Sequence, residues 1–259
     1  ESIQPRWTAE VTYKPPGGMH LILGSPLIHG FHPLPPNVIM LGPALVSQPG
    51  VVPAEIEQFF SAYPKGIIYF ATGSIWAPTD SQIRALMEVF SKLPQYGILW
   101  SFVGDLNDYI IPGNVRVVEW VSQVDVLFDS RVKLFISHCG LGSVNEAISS
   151  QTPVFGIPQQ MEQQNNAVIL QDKGIAETLL EKEDIDTGEV YSLIERLLAD
   201  PSYRESTTDL NRMLQSIHDV EWELEKWIDA SLGGVDTAYL VLADQQELPF
   251  LQFHNFDLW

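Results

Sequence analysis

The stretch that decides the fold runs Phe135-Ile136-Ser137-His138-Cys139-Gly140-Leu141-Gly142-Ser143-Val144-Asn145-Glu146. Its apolar start predicts a buried strand, and its glycines predict a turn before a helix over residues 143–149. A strand, a glycine turn and a helix N-terminus in this order form an anion site. Unpaired backbone N–H groups and the positive end of the helix dipole converge there. The stretch therefore predicts a turn that binds a pyrophosphate.

On both sides of this turn, short apolar runs alternate with segments of helical periodicity. Strands are expected at residues 66–71, 98–103, 115–119, 133–137, 154–157 and 176–180. Helices are expected at residues 81–93, 124–128, 143–149, 162–171 and 188–198. The alternation predicts an α/β fold, a Rossmann-like doubly wound parallel sheet with ligands at the carboxyl ends of its strands.

The two ends of the chain differ from this alternating region. Residues 1–50 are rich in proline and glycine and predict one strand, at residues 19–23, with long irregular flanks. After residue 201 the sequence turns helical and acidic, and one apolar stripe is expected from Leu210, Met213, Leu214, Ile217, Trp222 and Trp227. A second helix is expected at residues 235–245, before an aromatic tail at residues 248–256.

Composition excludes several classes of protein. The 259 residues hold 14 Lys+Arg and 33 Asp+Glu, a net charge of −19 with neutral histidines. Such a chain repels nucleic acids, so any anionic ligand must be held by local dipoles. The single cysteine, Cys139, can form neither an internal disulfide nor a cysteine-based metal cluster. Because no apolar run reaches the ~18–20 residues of a membrane span and no signal peptide is evident, we expect the chain as given to be soluble.

Four residues of the turn are candidates for contact with a pyrophosphate. Gly140 and Gly142 would let the backbone approach the ligand, Ser143 would add a hydroxyl, and His138 could donate to a phosphate oxygen.

Taken alone, the turn allows two other interpretations. Ser143 and Glu146 could form a capping box, which needs no ligand. Alternatively, Gly140 and Gly142 could be half of a dinucleotide fingerprint with Glu162 as the ribose-binding acid, although the third glycine is absent.

Together with its neighbours, the turn resembles the donor-binding signature of the family 1 UDP-glycosyltransferases. The segments that carry the likeness are Trp120-Val121-Ser122-Gln123, His138-Cys139-Gly140-x-Gly142-Ser143-x-x-Glu146, Pro153-Val154-x-Gly156-Ile157-Pro158, and Glu162-Gln163 followed by Asn165 or Asn166. The resemblance implies the C-terminal lobe of a GT-B glycosyltransferase. Residues 1–46 would be a remnant of the N-terminal lobe and linker, residues 47–232 the donor-binding domain, and residues 233–259 a C-terminal helix and aromatic tail.

The resemblance implies a role for each matching residue. Trp120 would stack on uracil with Gln123 nearby, although a lone tryptophan is more simply a core residue. Glu146 would accept the ribose hydroxyls, and Glu162 with Gln163 would hold the sugar. The complete set of donor-binding candidates is Ser74, Trp120, Val121, Gln123, His138, Gly140, Gly142, Ser143, Glu146, Glu162 and Gln163.

The sequence departs from the family pattern at three places. Glu162 stands where Asp is common, so its carboxylate is one methylene longer. Ser122 replaces a common proline. Leu141 and Gly142 replace a pair that often ends in Asn, so backbone N–H groups would take over a side-chain contact. Gln163 favours UDP-glucose as the donor.

The resemblance also implies what the full-length protein does. It would be an inverting UDP-glycosyltransferase that uses no metal or cofactor and acts on small lipophilic acceptors. The family's catalytic base is a histidine in the N-terminal lobe, and no histidine here matches its motif. His29 and His32, in the proline-rich segment, are expected at the surface. We therefore expect this chain to bind UDP or a UDP-sugar without transferring sugar by itself.

The end of the chain bears on location and partners. Residues 250–259 resemble the segment before a single membrane-spanning helix in animal members, which implies anchoring in the endoplasmic reticulum. The alternative is that these residues pack against the N-terminal lobe. Two alternatives stay open. One is a natural half-enzyme that supplies donor affinity to a separate acceptor-binding subunit, and the other is an NAD-binding oxidoreductase domain.

Overall fold

A computed structural model of the chain describes residues 19–29, 38–43, 48–73, 78–180 and 185–233. The chain divides into two compact units. The smaller comprises residues 1–26, 30–42 and 219–259, and the larger comprises residues 27–29 and 43–218. Each unit has its own parallel sheet. The boundaries proposed at residues 46 and 232 from the family resemblance stay a prediction.

The sheet of the smaller unit is a pair of short parallel strands, β1 (His20–Ile22) and β2 (Val38–Met40). A one-turn helix, α1 (Pro26–His29), lies between them in the chain. The first strand was predicted. The second was missed, because a three-residue apolar run directly behind a proline-rich segment gives too weak a pattern.

In the larger unit, strands and helices alternate as the sequence predicts. In chain order the elements are α2 (Ala54–Ser61), β3 (Ile67–Ala71), α3 (Asp80–Ser91), β4 (Gly97–Ser101), β5 (Val115–Val118), α4 (Gln123–Leu127), β6 (Val132–Ser137), α5 (Leu141–Ser149), β7 (Val154–Gly156), α6 (Met161–Asp172), β8 (Ala176–Thr178), α7 (Thr187–Ala199) and α8 (Ser202–Ile217). All six predicted strands are present, and α2 was not predicted. The Rossmann-like α/β class is confirmed.

The six strands are all parallel and lie in the order β5-β4-β3-β6-β7-β8. The chain moves outward from β3 to β5 and then returns to β6, so the winding reverses between β3 and β6. Ala71 at the end of β3 is aligned with Ser137 at the end of β6. Doubly wound sheets bind ligands beside the carboxyl ends of the strands at such a reversal. The loops that follow Ala71 and Ser137 are therefore the expected site.

Strand β3 lies near the middle of the sheet, and helices cover it on both faces. Tyr69 belongs to an apolar cluster with Phe135, whereas Phe70 belongs to a second cluster with Trp100. All five side chains of the strand are at most 6% exposed. This burial on both faces explains why the strand is a continuous apolar run rather than an alternating one.

The prediction of one apolar stripe after residue 201 is wrong. The stripe is divided between α8, in the larger unit, and a separate helix, α9 (Val220–Leu232), in the smaller unit. Leu210 and Leu214 are buried, but Ile217 is 54% exposed. Helix α8 ends at that residue, and Asp219 accepts a hydrogen bond from a backbone N–H of α9 and so starts a new helix.

Some predictions fall on parts of the chain that are not described. These are the helix at residues 235–245, the aromatic tail, His32, and the side chain of His29. Across the described ranges, every helix is too short or too polar to cross a bilayer.

Candidate functional site

The turn between β6 and α5 is an open helix N-terminus. Gly140 is the N-cap residue, with φ −64° and ψ 150°, and α5 begins at Leu141 rather than at Ser143. No side chain of the described residues caps this helix, which leaves the N–H groups of its first turn for a ligand or water. The capping-box interpretation is therefore wrong. Ser143 is the third helical residue, and its hydroxyl accepts a hydrogen bond from Gln123.

The imidazole ring of His138 lies between two glycines from different loops. A Cβ atom on Gly73 would lie 2.8 Å from His138 Cε1, and one on Gly140 would lie 2.6 Å from His138 Nε2. Gly73 also has φ +73°, a conformation that strains any side chain. Both glycines thus make room for the ring, a role that was not predicted for Gly140. Gly142 has open space around its Cβ position and leaves its backbone approachable.

Burial controls the charge of His138. It lowers the pKa of the ring from the usual 6.5, and the Glu162 carboxylate and the Ala71 backbone offset part of that shift. The ring Nδ1 is buried and has no well-formed hydrogen bond among the described residues. The lowered pKa favours the uncharged ring at neutral pH, and an uncharged ring carries one N–H with which it can donate a hydrogen bond to an anion.

Acidification is expected to destabilise the protein through His138. The unfolded chain takes up a proton near the usual pKa of 6.5, whereas the folded ring resists protonation until lower pH. The free energy of unfolding therefore falls as the pH drops below that value. Urea unfolding at about pH 7.5 and about pH 5.5 should show a smaller decrease in His138→Gln than in the parent protein. Equal decreases in the free energy of unfolding of the two proteins would contradict a lowered pKa of His138 in the folded state.

A polar cluster joins α4 to α5. The side-chain amide of Gln123 donates to Ser143 Oγ at 3.1 Å and to Glu146 Oε2 at 2.6 Å. Partial burial raises the pKa of the Glu146 carboxyl above its usual 4.5, and the hydrogen bond from Gln123 offsets part of that shift. Three of the predicted residues thus meet on one side of α5.

Trp120 lies in the loop between β5 and α4, and its side chain is 80% exposed. Its interpretation as a core tryptophan is therefore wrong. The next residue, Val121, is buried in the apolar cluster that contains Tyr69. This loop thus presents an exposed indole on a backbone anchored by a core residue, three positions before Gln123. A planar ring can stack on such a surface.

The carboxylate of Glu162, in the first turn of α6, lies near the glycine turn. One of its oxygens accepts a hydrogen bond from Asn166 at 2.6 Å. Its charge opposes the lowering of the His138 pKa. Burial, with a smaller contribution from the Glu162 charge, raises the pKa of the Cys139 thiol to about 12. The structure therefore brings Glu162 close to the turn that holds His138.

The structure gives Gln163 a role that was not predicted. Its side-chain oxygen accepts hydrogen bonds from the backbone N–H groups of Gln159 and Gln160, at 3.0 and 3.2 Å. Only the amide N–H groups of this buried side chain are then left for a sugar hydroxyl. Its contact with a sugar, and the donor-binding roles of the other candidates, stay predictions.

Two residues that shape the site had no role in the sequence-based interpretation. Gly73, the residue before the candidate Ser74, was given no role of its own, and Asn166 was only one of two possible motif asparagines. Ser74 lies outside the described residues.

In the part of the chain that is described, no three His, Cys, Asp or Glu side chains are gathered to hold a metal ion. Independence from metal stays a prediction.

Comparisons with known proteins show the family. A family model described as UDP-glucoronosyl and UDP-glucosyl transferase matches residues 20–230. UDP-glycosyltransferase UGT5 of Dactylopius coccus is 36% identical over 186 residues, which cover 69% of this chain and 34% of that protein. UDP-glucuronosyltransferase 2B23 of Macaca fascicularis is 28% identical over 231 residues, which cover 88% of this chain and 43% of that protein.

Solved structures show the same fold. The glycotransferase of kitacinnamycin matches with a TM-score of 0.65 at 22% identity, over 80% of this chain and 53% of that one. The calicheamicin glycosyltransferase matches with a TM-score of 0.63 at 20% identity, over 84% of this chain and 53% of that one. The chain spans about a third to about half the length of these relatives. Since the family model matches most of its residues, the chain belongs to the UDP-glucoronosyl and UDP-glucosyl transferase family.

Proposed function

We propose that this chain is the donor-binding C-terminal lobe of an inverting UDP-glycosyltransferase, with UDP-glucose as its favoured donor. The observation that carries the proposal is the convergence of polar groups on the open N-terminus of α5. His138 precedes that terminus, Glu146 follows it on the same helix, and Glu162 approaches it from α6. All three lie near the carboxyl ends of the strands, beside the reversal in the sheet.

Each part of a UDP-sugar has a matching group in this arrangement. The exposed indole of Trp120 offers a flat surface to uracil, and the Glu146 carboxylate accepts hydrogen bonds from the ribose hydroxyls. The N–H groups of the first turn of α5, with His138 and Ser143, donate to the diphosphate. Glu162 accepts from the sugar hydroxyls. Fixed dipoles near the anion thus take the place of lysine and arginine in a protein of net charge −19.

The same groups favour transfer of the sugar. In the proposed reaction an acceptor oxygen forms a bond to the anomeric carbon while the bond from that carbon to the diphosphate breaks. Negative charge then builds on the departing UDP. N–H and O–H groups fixed at the start of α5 interact more strongly with this charge than with the intact UDP-sugar. They therefore lower the activation barrier of the transfer.

The acceptor side of the reaction is proposed to lie outside this chain. We propose that a small lipophilic acceptor and the histidine base that activates it are bound by another part of the whole protein. The chain alone is then expected to bind the donor without transferring sugar. Attachment of the whole protein to the endoplasmic reticulum membrane stays a prediction.

Two alternatives predict different behaviour. A natural half-enzyme would form a stable complex with a separate acceptor-binding chain, which gel filtration would detect. An acceptor lobe encoded in the same reading frame would exclude the half-enzyme alternative. An NAD-binding domain is less well supported, because Glu162 lies on α6 after the fifth strand of the larger unit and a third glycine is absent from the turn.

Calorimetric titration of the chain tests the proposed function. UDP and UDP-glucose are expected to bind, and NAD is expected not to bind, because the site matches a uridine diphosphate and lacks the complete dinucleotide fingerprint. UDP-glucuronic acid should bind more weakly than UDP-glucose, because its extra carboxylate is repelled by Glu162. Tighter binding of NAD than of UDP would overturn the proposal.

A further inference from the structure

We infer that Asn166 is a positioning residue that ties the sugar-binding carboxylate of Glu162 to the diphosphate-binding turn. This inference rests on the proposed function and deepens it. The side-chain Nδ2 of Asn166 donates to Glu162 Oε1 at 2.6 Å and to the backbone carbonyl of Cys139 at 3.0 Å. One amide group thereby joins the first turn of α6 to the turn between β6 and α5.

The bond to Glu162 sets the direction of an otherwise mobile side chain. Glu162 is exposed, whereas Asn166 is only 5% exposed. A free glutamate side chain loses considerable rotamer freedom when a ligand orders it. With Oε1 held by a buried amide, that freedom is lost before the donor arrives, and Oε2 is left to accept from a sugar hydroxyl. Asn166 can therefore strengthen sugar binding without touching the sugar.

The bond to Cys139 holds the turn itself. Cys139 has φ +63°, a conformation that is uncommon for a residue with a side chain. Its backbone N–H donates to Ser137 Oγ at 3.1 Å, and its carbonyl accepts from Asn166. These two bonds hold the residue that separates His138 from Gly140. The same asparagine thus acts on the phosphate side and on the sugar side of the site.

This arrangement predicts a specific signature in ligand binding. UDP reports only the phosphate and nucleoside contacts, whereas UDP-glucose also reports Glu162. The ratio of the UDP-glucose affinity to the UDP affinity therefore isolates the sugar contact. Loss of the hydrogen bonds from Asn166 should lower that ratio, whereas general damage to the fold would lower both affinities alike.

The test is calorimetry with UDP and UDP-glucose on Asn166→Asp, Asn166→Ser and Glu162→Ala. Asn166→Asp keeps the shape of the side chain but replaces the donor with an acceptor that repels Glu162. We expect the affinity ratio to fall about 5-fold in Asn166→Asp and less in Asn166→Ser, which keeps a short donor. Adding Asn166→Ala to Glu162→Ala should cause no further fall in the ratio, because the asparagine acts through the glutamate.

A matched control is Asn165→Asp, an exposed asparagine on the same helix, which should leave the ratio unchanged. The inference is overturned if the ratio is unchanged in both Asn166→Asp and Asn166→Ser. It is also overturned if both affinities fall equally together with the unfolding temperature, since that marks a purely structural residue. A parent chain that binds neither ligand would instead overturn the proposed function.

Discussion

Replacing Trp120 with alanine is expected to weaken UDP binding about 5- to 150-fold, which corresponds to about 1–3 kcal/mol for a base stacked on an aromatic side chain. The unfolding temperature should not change, because the indole is 80% exposed and contributes little to the core. Isothermal titration calorimetry with UDP measures the first quantity, and thermal unfolding without ligand measures the second.

Two further variants sharpen this test. Trp120→Phe keeps a flat ring and should retain most of the affinity. Trp222→Ala removes another exposed tryptophan, 58% exposed on α9, and should leave UDP binding unchanged. If Trp120→Ala binds UDP as tightly as the parent protein, the indole does not belong to the uracil site.

A second large loss of UDP affinity is expected at Glu146. Hydrogen bonds to a charged group contribute about 1.5–3 kcal/mol, so Glu146→Ala should weaken UDP binding about 10- to 150-fold. The stability of the ligand-free protein should not fall in parallel. Burial raises the pKa of this carboxyl, so its ionised form disfavours folding at neutral pH, and its removal relieves that cost. Calorimetry and urea unfolding at neutral pH measure the two effects separately.

The pH dependence of binding provides an independent check on Glu146. Its ionised form accepts the ribose hydroxyls, so UDP affinity should fall as the pH drops through a pKa that lies above the usual 4.5. This fall should be absent from Glu146→Ala. Glu205→Ala, at an exposed position on α8, serves as the control and should behave as the parent does. Retention of full affinity by Glu146→Ala would remove this residue from the site.

The sequence-based interpretation was most successful where local pattern and burial coincide. The run at residues 66–71 predicted β3 because a strand covered on both faces is continuously apolar. It was less successful where one pattern fits two structures. Helical periodicity continues past Ile217, so the break between α8 and α9 was missed. The start of α5 was placed at Ser143 because the glycines before it suit both a turn and a first helical turn.

By itself, the sequence determined the class of the fold and the order strand, glycine turn, helix at the site. These features follow from the periodicity and turn chemistry of residues that are neighbours in the chain. Only the tertiary structure decided which residues distant in the chain meet, as with Gly73 and His138, Gln123 and Glu146, or Asn166 and the Cys139 carbonyl. The physical reason is that such contacts depend on how the parallel strands are ordered and on how the helices pack across them. No local pattern encodes that arrangement.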